Sequence, residues 1–284
     1  MLVQELELRP ARALLGWLSE KQARGYLNAQ RRDAELTDEQ RRAIAQAHAQ
    51  VARRPPFEGG TAIVGPCPAT LSGHRDALYA HARFSAMRNE GWDVAIIDLE
   101  RVCVVQPMVL SEPDPRVGAT PDPGDMATLA RITLPIPDPQ VLPYQIDSAK
   151  NVALLASPNP NLRAVGFRVQ QTEQGTLLGF VVEEATSFVQ VAEFGGRFVL
   201  TDGNHRAASL VKMGITRIPA LTRKHMHGED LRLAKSVLSA ATYLGERPPQ
   251  IADYWNPAVS AAISVPRKKK LVMIQAVEQS LVDR

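Results

Sequence analysis

Five adjacent residues in the second half of the chain carry groups that bind anions or move protons: Asp202, Gly203, Asn204, His205 and Arg206. An apolar run at 198–201 precedes them, and a helical pattern follows. Where a strand turns directly into a helix, backbone N–H groups stay unpaired beside the positive end of the helix dipole. Such a turn binds phosphate or carboxylate, and we predict the functional site there.

Each residue of the turn has a predicted role. Gly203 can adopt the backbone angles of a sharp turn and lets a ligand approach closely. Arg206 opposes the dipole of its own helix, so an anion is its natural partner. His205 can donate to a phosphate oxygen or move a proton. Asp202 could cap the helix, hold a divalent ion or act as a base. The catalytic candidates are therefore Asp202 and His205, and the ligand-binding candidates are Gly203, Asn204 and Arg206.

Structural roles remain open for the same side chains. Asp202 and Asn204 are common turn and cap residues, and His205 could be an internal hydrogen-bond partner. Arg206 could form an internal salt bridge with one of three carboxylates: Glu183, Glu184 or Glu193.

The segments around the turn have strong local signals. Residues 188–194 and 197–200 are β-type runs that flank Gly195 and Gly196, which predicts a hairpin. A helix is predicted over 205–213, with a stop at Gly214 and a strand at 218–222. Further strands are predicted at 94–99, 101–105, 165–169 and 176–182.

This arrangement resembles the ParB/sulfiredoxin superfamily, mainly over residues 188–222 and more loosely back to Val94. The family signature is a hairpin that leads into a Gly-x-x-Arg turn, here Gly203 and Arg206. A helix, a glycine and an Ile-Pro strand follow, here at Ile218-Pro219. The resemblance implies an α+β fold with a ParB/sulfiredoxin-like mixed-sheet core. It also implies binding of a nucleotide or another phosphate-bearing ligand, such as ATP, ADP or CTP, to which Mg²⁺ could contribute.

Departures from the family narrow the expected activity. Sulfiredoxins have a reactive cysteine where this chain has Asn204, which argues against sulfinic acid reduction. Partition proteins carry a helix-turn-helix after the core, and no such unit is evident past Thr222. Serine kinases use a carboxylate base, for which Asp202, Glu183 or Glu184 could serve. If the protein is an enzyme, we expect a nucleotide-dependent phosphotransferase, an NTPase or a nuclease.

We divide the chain into a helical N-terminal region (1–90), a core (91–225) and a C-terminal region (226–284). The first 55 residues have helical patterns, including a capping box at Thr37 to Gln40, and another helix is predicted over 72–89. The core contains a proline-rich loop, 111–143, with a short helix or strand near 126–134. A loop of this length suggests a wrapping or gating segment. The C-terminal region is predicted to hold a helix over 228–244 and a strand at 271–274.

Composition sets the class of protein. The 284 residues carry a net charge of +3 and are 45% hydrophobic, as in soluble globular proteins. Cys67 and Cys103 fit a reducing cytosol, and no metal-ligand spacing surrounds them. No apolar run reaches the roughly 20 residues that cross a bilayer. We expect a cytoplasmic protein without a membrane partner or a dedicated metal site.

The mild basic excess leaves a second class of function open, a non-catalytic DNA- or protein-interaction module. Its binding surfaces would be the N-terminal helices and the basic run at 267–270. Nucleic acid is thus a candidate partner, and the chain could also form a homodimer.

Overall fold

The computed structural model describes residues 7–29, 34–136, 141–159, 161–225, 227–231, 233 and 237–279. Helices and mixed sheets both occur in these residues, as expected for an α+β protein. The α-helices are α1 (Glu20–Leu27), α2 (Asp38–Arg53), α3 (Ser72–Ala80), α4 (Ala82–Asn89), α5 (Met126–Thr133), α6 (Asn204–Lys212) and α7 (Ala240–Tyr243). Short 3₁₀ helices lie at Leu15–Trp17, Ala69–Leu71, Leu99–Arg101, Gly228–Leu231 and Ile251–Trp255.

The strands complete the list of elements. They are β1 (Leu8–Ala13), β2 (Ile63–Pro66), β3 (Asp93–Asp98), β4 (Val102–Val104), β5 (Met108–Leu110), β6 (Tyr144–Asp147), β7 (Val152–Ser157), β8 (Leu162–Thr172), β9 (Gly175–Glu184), β10 (Gln190–Phe194), β11 (Arg197–Asp202), β12 (Arg217–Lys224), β13 (Ala261–Pro266) and β14 (Lys270–Gln275). Among the described residues, no helix is long and apolar enough to span a bilayer.

The chain separates into two compact units, a division that differs from the three predicted regions. The first unit is Met1–Ile136 with Ser187–Arg267, and the second is Pro137–Thr186 with Lys268–Arg284. The predicted N-terminal region, 1–90, therefore belongs to the same unit as the candidate site.

The first unit is built on a six-stranded mixed sheet in the order β2-β3-β12-β10-β11-β4. The pairs β10–β12 and β11–β4 are parallel, and the other neighbours are antiparallel. The predicted hairpin is confirmed as β10 and β11, joined through Gly195 and Gly196, both at positive φ. Helix α6 packs on the sheet through its buried alanines, Ala207 and Ala208.

The segment 8–13 corrects the prediction of helical structure in the first 55 residues. Strand β1 occupies Leu8–Ala13 and pairs antiparallel with both β13 and β5. These partners lie about 100 and 250 positions away in sequence, so no local pattern reports them. Helices α1 and α2 follow, and the predicted Thr37–Gln40 capping box is confirmed. The helix predicted over 72–89 is present as α3 and α4, which meet at His81.

The predicted helix over 228–244 is wrong as a continuous element. A 3₁₀ turn at Gly228–Leu231 and the short α7 are separated by non-helical backbone at 237–239, while 232 and 234–236 lie outside the described residues. The N–H of Leu238 donates to the carbonyl of Val105 at 2.8 Å, and its side chain is buried in the core. This long-range contact overrides the helical pattern.

Two further predictions are confirmed. A short helix does interrupt the proline-rich loop, at α5, where the Asp125 side chain caps the first turn. In the second unit, the strands predicted at 165–169 and 176–182 are parts of the long hairpin β8–β9, and 271–274 lies within β14. Strands β14, β7 and β6 form a separate three-stranded antiparallel sheet.

Candidate functional site

The turn between β11 and α6 is set by Gly203, which occupies the left-handed region at φ 78°. A Cβ there would lie 2.8 Å from the Val189 Cα and 3.2 Å from the Phe188 carbonyl oxygen. The N–H of Gly203 donates to Oδ1 of Asp202 at 2.7 Å. Among the described residues, no side chain caps α6. Asp202 is therefore a turn residue, and the alternative role of helix cap that the sequence left open is not observed. Glycine is needed here because the turn packs closely against the segment that enters β10.

Three backbone N–H donors at the start of α6 are not used by the helix. The first bond of the helix runs from the N–H of Ala207 to the carbonyl of Gly203. Within the described residues, the N–H groups of Asn204, His205 and Arg206 have no hydrogen-bond partner. They stand at the positive end of a nine-residue helix.

Arg206 lies inside the protein, with only 1% of its surface exposed. Its Nη1 donates to the carbonyl of Ile132 at 2.9 Å and more weakly to that of Thr133 at 3.4 Å. Its Nη2 donates to the carbonyl and hydroxyl oxygens of Ser187, at 2.7 and 2.8 Å. Because Ile132 and Thr133 end α5, the guanidinium caps the negative end of that helix.

The protein partners of Arg206 thus differ from the three carboxylates considered from the sequence. Of the three carboxylates, Glu183 lies 3.4 Å from Arg163, Glu193 pairs with Lys224, and Glu184 accepts from Asn159. Burial lowers the pKa of Arg206 to about 10, with Arg116 adding to the effect. The guanidinium remains charged at neutral pH, and its charge faces carbonyl dipoles.

His205 is held as a neutral donor. Its Nδ1 accepts a hydrogen bond from the N–H of Leu110 at 3.2 Å, so the ring proton must lie on Nε2. Burial lowers the pKa of His205, against a smaller opposing effect of Asp114. The imidazole can therefore offer one N–H to a ligand without carrying charge.

We expect His205 to make the protein less stable in mild acid. Its pKa is lower in the fold than the unfolded value of 6.5, so the unfolded chain binds more protons and stability falls as the pH drops below 6.5. In His205→Asn, whose Oδ1 can replace Nδ1 as acceptor, this part of the loss should disappear. Urea titrations between pH 5 and 8 would measure it, with the exposed His227→Asn as control. Equal pH profiles for wild type and His205→Asn would contradict the buried neutral state.

Asp202 combines burial with nearby positive charge. Burial raises its pKa, while the N–H of Gly203 and the guanidinium groups of Arg206 and Arg116 oppose the rise. A carboxylate with a raised pKa is a better proton acceptor near neutral pH than an exposed one. No group of three His, Cys, Asp or Glu residues within the described parts of the chain is arranged to hold a metal ion.

Asn204 carries an unsatisfied acceptor. Its Oδ1 is shielded from solvent and has no hydrogen-bond partner among the described residues. Because a buried polar atom without a partner costs free energy, this oxygen would gain from a donor on a bound molecule.

The start of the proline-rich loop lies along α6. The N–H of Asp114 donates to Oγ of Ser209 at 3.0 Å, and Nζ of Lys212 donates to the carbonyl of Ser111 at 3.1 Å. Together with the bond from Leu110 to His205, these contacts fix 110–114 along the helix.

The loop also brings a cation that sequence reasoning missed. Nε of Arg116 lies 3.4 Å from Oδ1 of Asp114, and its Nη1 donates to Oγ of Ser187 at 3.0 Å. The side chain is 43% exposed, and it influences the pKa of Asp202, of His205 and of Arg206. An arginine between prolines has no periodicity that would single it out.

No family model, curated protein or solved structure matches this chain. The resemblance to the ParB/sulfiredoxin superfamily stays a prediction, based on the hairpin, the Gly203–Arg206 spacing and the Ile218-Pro219 strand.

Proposed function

We propose that the turn 202–206 binds a phosphate-bearing ligand, of which a nucleotide such as ATP, ADP or CTP is the leading candidate. The observation that carries the proposal is the set of three unpartnered N–H groups at the start of α6. Several amides that point the same way at a positive helix end match the oxygens of a phosphate group. The ParB/sulfiredoxin-like core is part of the same proposal.

The proposed roles of the side chains in ligand binding differ from those predicted from the sequence. Arg116, half exposed beside the turn, supplies the charge that meets the phosphate. His205 adds the Nε2–H, and Oδ1 of Asn204, which has no hydrogen-bond partner among the described residues, would accept from the ligand after a rotation of its side chain. Arg206 is a positioning residue, because its hydrogen bonds to the end of α5 and to Ser187 fix the start of α6 against these segments.

If the protein is a catalyst, the site favours phosphoryl transfer or nucleotide hydrolysis. Asp202 would accept the proton of the attacking hydroxyl or water, since burial raises its pKa. Magnesium usually binds proteins through one or two carboxylates and the phosphates of the substrate. Only Asp202 offers a carboxylate within the turn, so Mg²⁺ would arrive with the nucleotide and supply charge neutralisation.

Ligand binding to Arg116→Gln is the decisive measurement. We expect ATP, ADP or CTP, with and without Mg²⁺, to raise the melting temperature of the wild type, and the substitution to weaken calorimetric affinity about tenfold. Arg163→Gln is the matched control, because Arg163 is also about half exposed and lies 3.4 Å from a carboxylate. The proposal fails if no nucleotide binds the wild type, or if both variants bind equally well.

A second candidate is the non-catalytic interaction module. For a DNA-binding surface the support is weak, because Arg41 on α2 already pairs with Glu20 and Asp38, as on a solvated helix. For a protein-binding surface one observation is favourable: the second unit exposes many large apolar side chains.

A further inference from the structure

The hairpin β8–β9 has one face made of exposed apolar side chains. Phe167 lies directly opposite Phe180, and Val169 lies opposite Leu178. Residues opposite each other in an antiparallel pair share a face, as do alternate residues along a strand. These four side chains are 54, 52, 58 and 61% exposed, and we call them the hairpin face.

The second unit buries little apolar surface. Within 141–159, 161–186 and 268–279, only Leu162 and Ala185 are buried apolar residues, and all of the hydrophobic core clusters lie in the first unit. A two-stranded hairpin is at best marginally stable when nothing covers it. Exposed contiguous apolar surface of this kind marks an interaction site.

The size of the hairpin face suits a protein partner. Each side chain leaves about half of its surface in water, so the four expose on the order of 400 Å², given that a Phe can bury 150–250 Å². A standard interface buries about 800 Å² per partner, with an apolar centre and a polar rim. The hairpin face can supply such a centre, and the polar residues beside it, Gln171 and Thr176, belong to a rim.

The lack of charged residues on the hairpin face favours a second copy of the chain over a nucleic acid or an anionic lipid surface. On the side of the hairpin that carries the face, no charged residue lies between Ala164 and Gln171 along β8 or between Thr176 and Val182 along β9. A nucleic acid or an anionic lipid surface needs basic residues around the contact. A two-fold dimer sets each patch against a copy of itself, and an uncharged apolar patch meets no repulsion in that arrangement.

We propose that two copies of this chain associate through the hairpin face. The two β8–β9 hairpins pack face to face across a two-fold axis, with the Phe167–Phe180 and Val169–Leu178 pairs at the centre. This interface lies in a different unit from the proposed phosphate site, and the proposal does not rest on that site.

The test is the oligomeric state of the full chain by sedimentation equilibrium. We expect a dimer in the wild type and a dissociation constant raised at least about a hundredfold in Leu178→Glu, because symmetry places the charge twice in the contact. Leu177→Glu is the matched control: Leu177 is 55% exposed and pairs with Gln170 on the opposite face. It should leave the dimer unchanged.

A second measurement avoids variants altogether. Amide hydrogen exchange of the wild type should slow at 165–182 as the protein concentration rises, because dimerisation covers the hairpin. The proposal is overturned if the wild type sediments as a monomer at every concentration, or if exchange at 165–182 does not depend on concentration. It is also overturned if Leu177→Glu and Leu178→Glu dissociate the dimer equally, or if the monomer binds vesicles of anionic phospholipid through this hairpin.

Discussion

Replacing Arg206 by methionine is expected to lower the free energy of unfolding by about 4 kcal/mol. The guanidinium is buried and donates to the carbonyls of Ile132, Thr133 and Ser187. Thr133 keeps a second donor, the N–H of Val189 at 2.8 Å. The carbonyls of Ile132 and Ser187 lose theirs, and an unsatisfied buried acceptor costs roughly 1–3 kcal/mol.

Methionine is chosen because it fills most of the vacated space, so that the measurement reports hydrogen bonds rather than a cavity. Arg206→Lys keeps the charge but not the planar fork that reaches two segments at once, and should recover part of the loss. Arg168→Met, at an exposed position of β8, is the control and should stay within about 0.5 kcal/mol of the wild type. Urea unfolding of the full chain gives all three values.

The opposite outcome would restore the role predicted from the sequence. If Arg206→Met unfolds like the wild type yet no longer binds nucleotide, the guanidinium acts on the ligand and the bonds to α5 contribute little. If stability falls as expected, lost binding in Arg206 variants cannot by itself identify a ligand contact. Arg116, which is half exposed, then becomes the cation to test.

The difference between the predicted and observed partners of Arg206 comes from sequence distance. Its position on the first turn of α6, and its need for negative charge, follow from local pattern and the helix dipole. The carbonyls that meet this need belong to Ile132 and Thr133, which are 74 and 73 positions away, and to Ser187, which is 19 positions away. No periodicity in either segment indicates that α5 ends against α6.

Sequence distance also separates the elements that could be predicted from those that could not. The hairpin β10–β11 depends on Gly195 and Gly196, and the capping box of α2 on four consecutive residues, so both could be read locally. Strand β1 exists because β13 and β5 flank it. Leu238 is not helical, because its N–H donates a hydrogen bond to the carbonyl of Val105. Such pairings form only when the chain folds as a whole.

Substituting Gly203 by alanine is the second change with a large expected effect, a loss of about 3 kcal/mol. Left-handed backbone costs an L-residue roughly 1–2 kcal/mol. The added methyl group would also meet Val189 Cα and Cγ2, each at 2.8 Å, and backbone cannot yield as a flexible side chain can. Both contributions should appear in the denaturant midpoint of the full chain.

Gly214 allows the two contributions to be separated. Its φ of 79° nearly equals the 78° of Gly203, but nothing lies within 4 Å of a Cβ built there. Gly214→Ala should therefore report the backbone cost alone, about 1 kcal/mol, and the excess in Gly203→Ala measures the close approach to Val189. Equal losses would mean that this approach is relaxed in solution. If Gly203→Ala were as stable as Gly214→Ala but bound nucleotide more weakly, the glycine would be required by the ligand, as the sequence alone suggested.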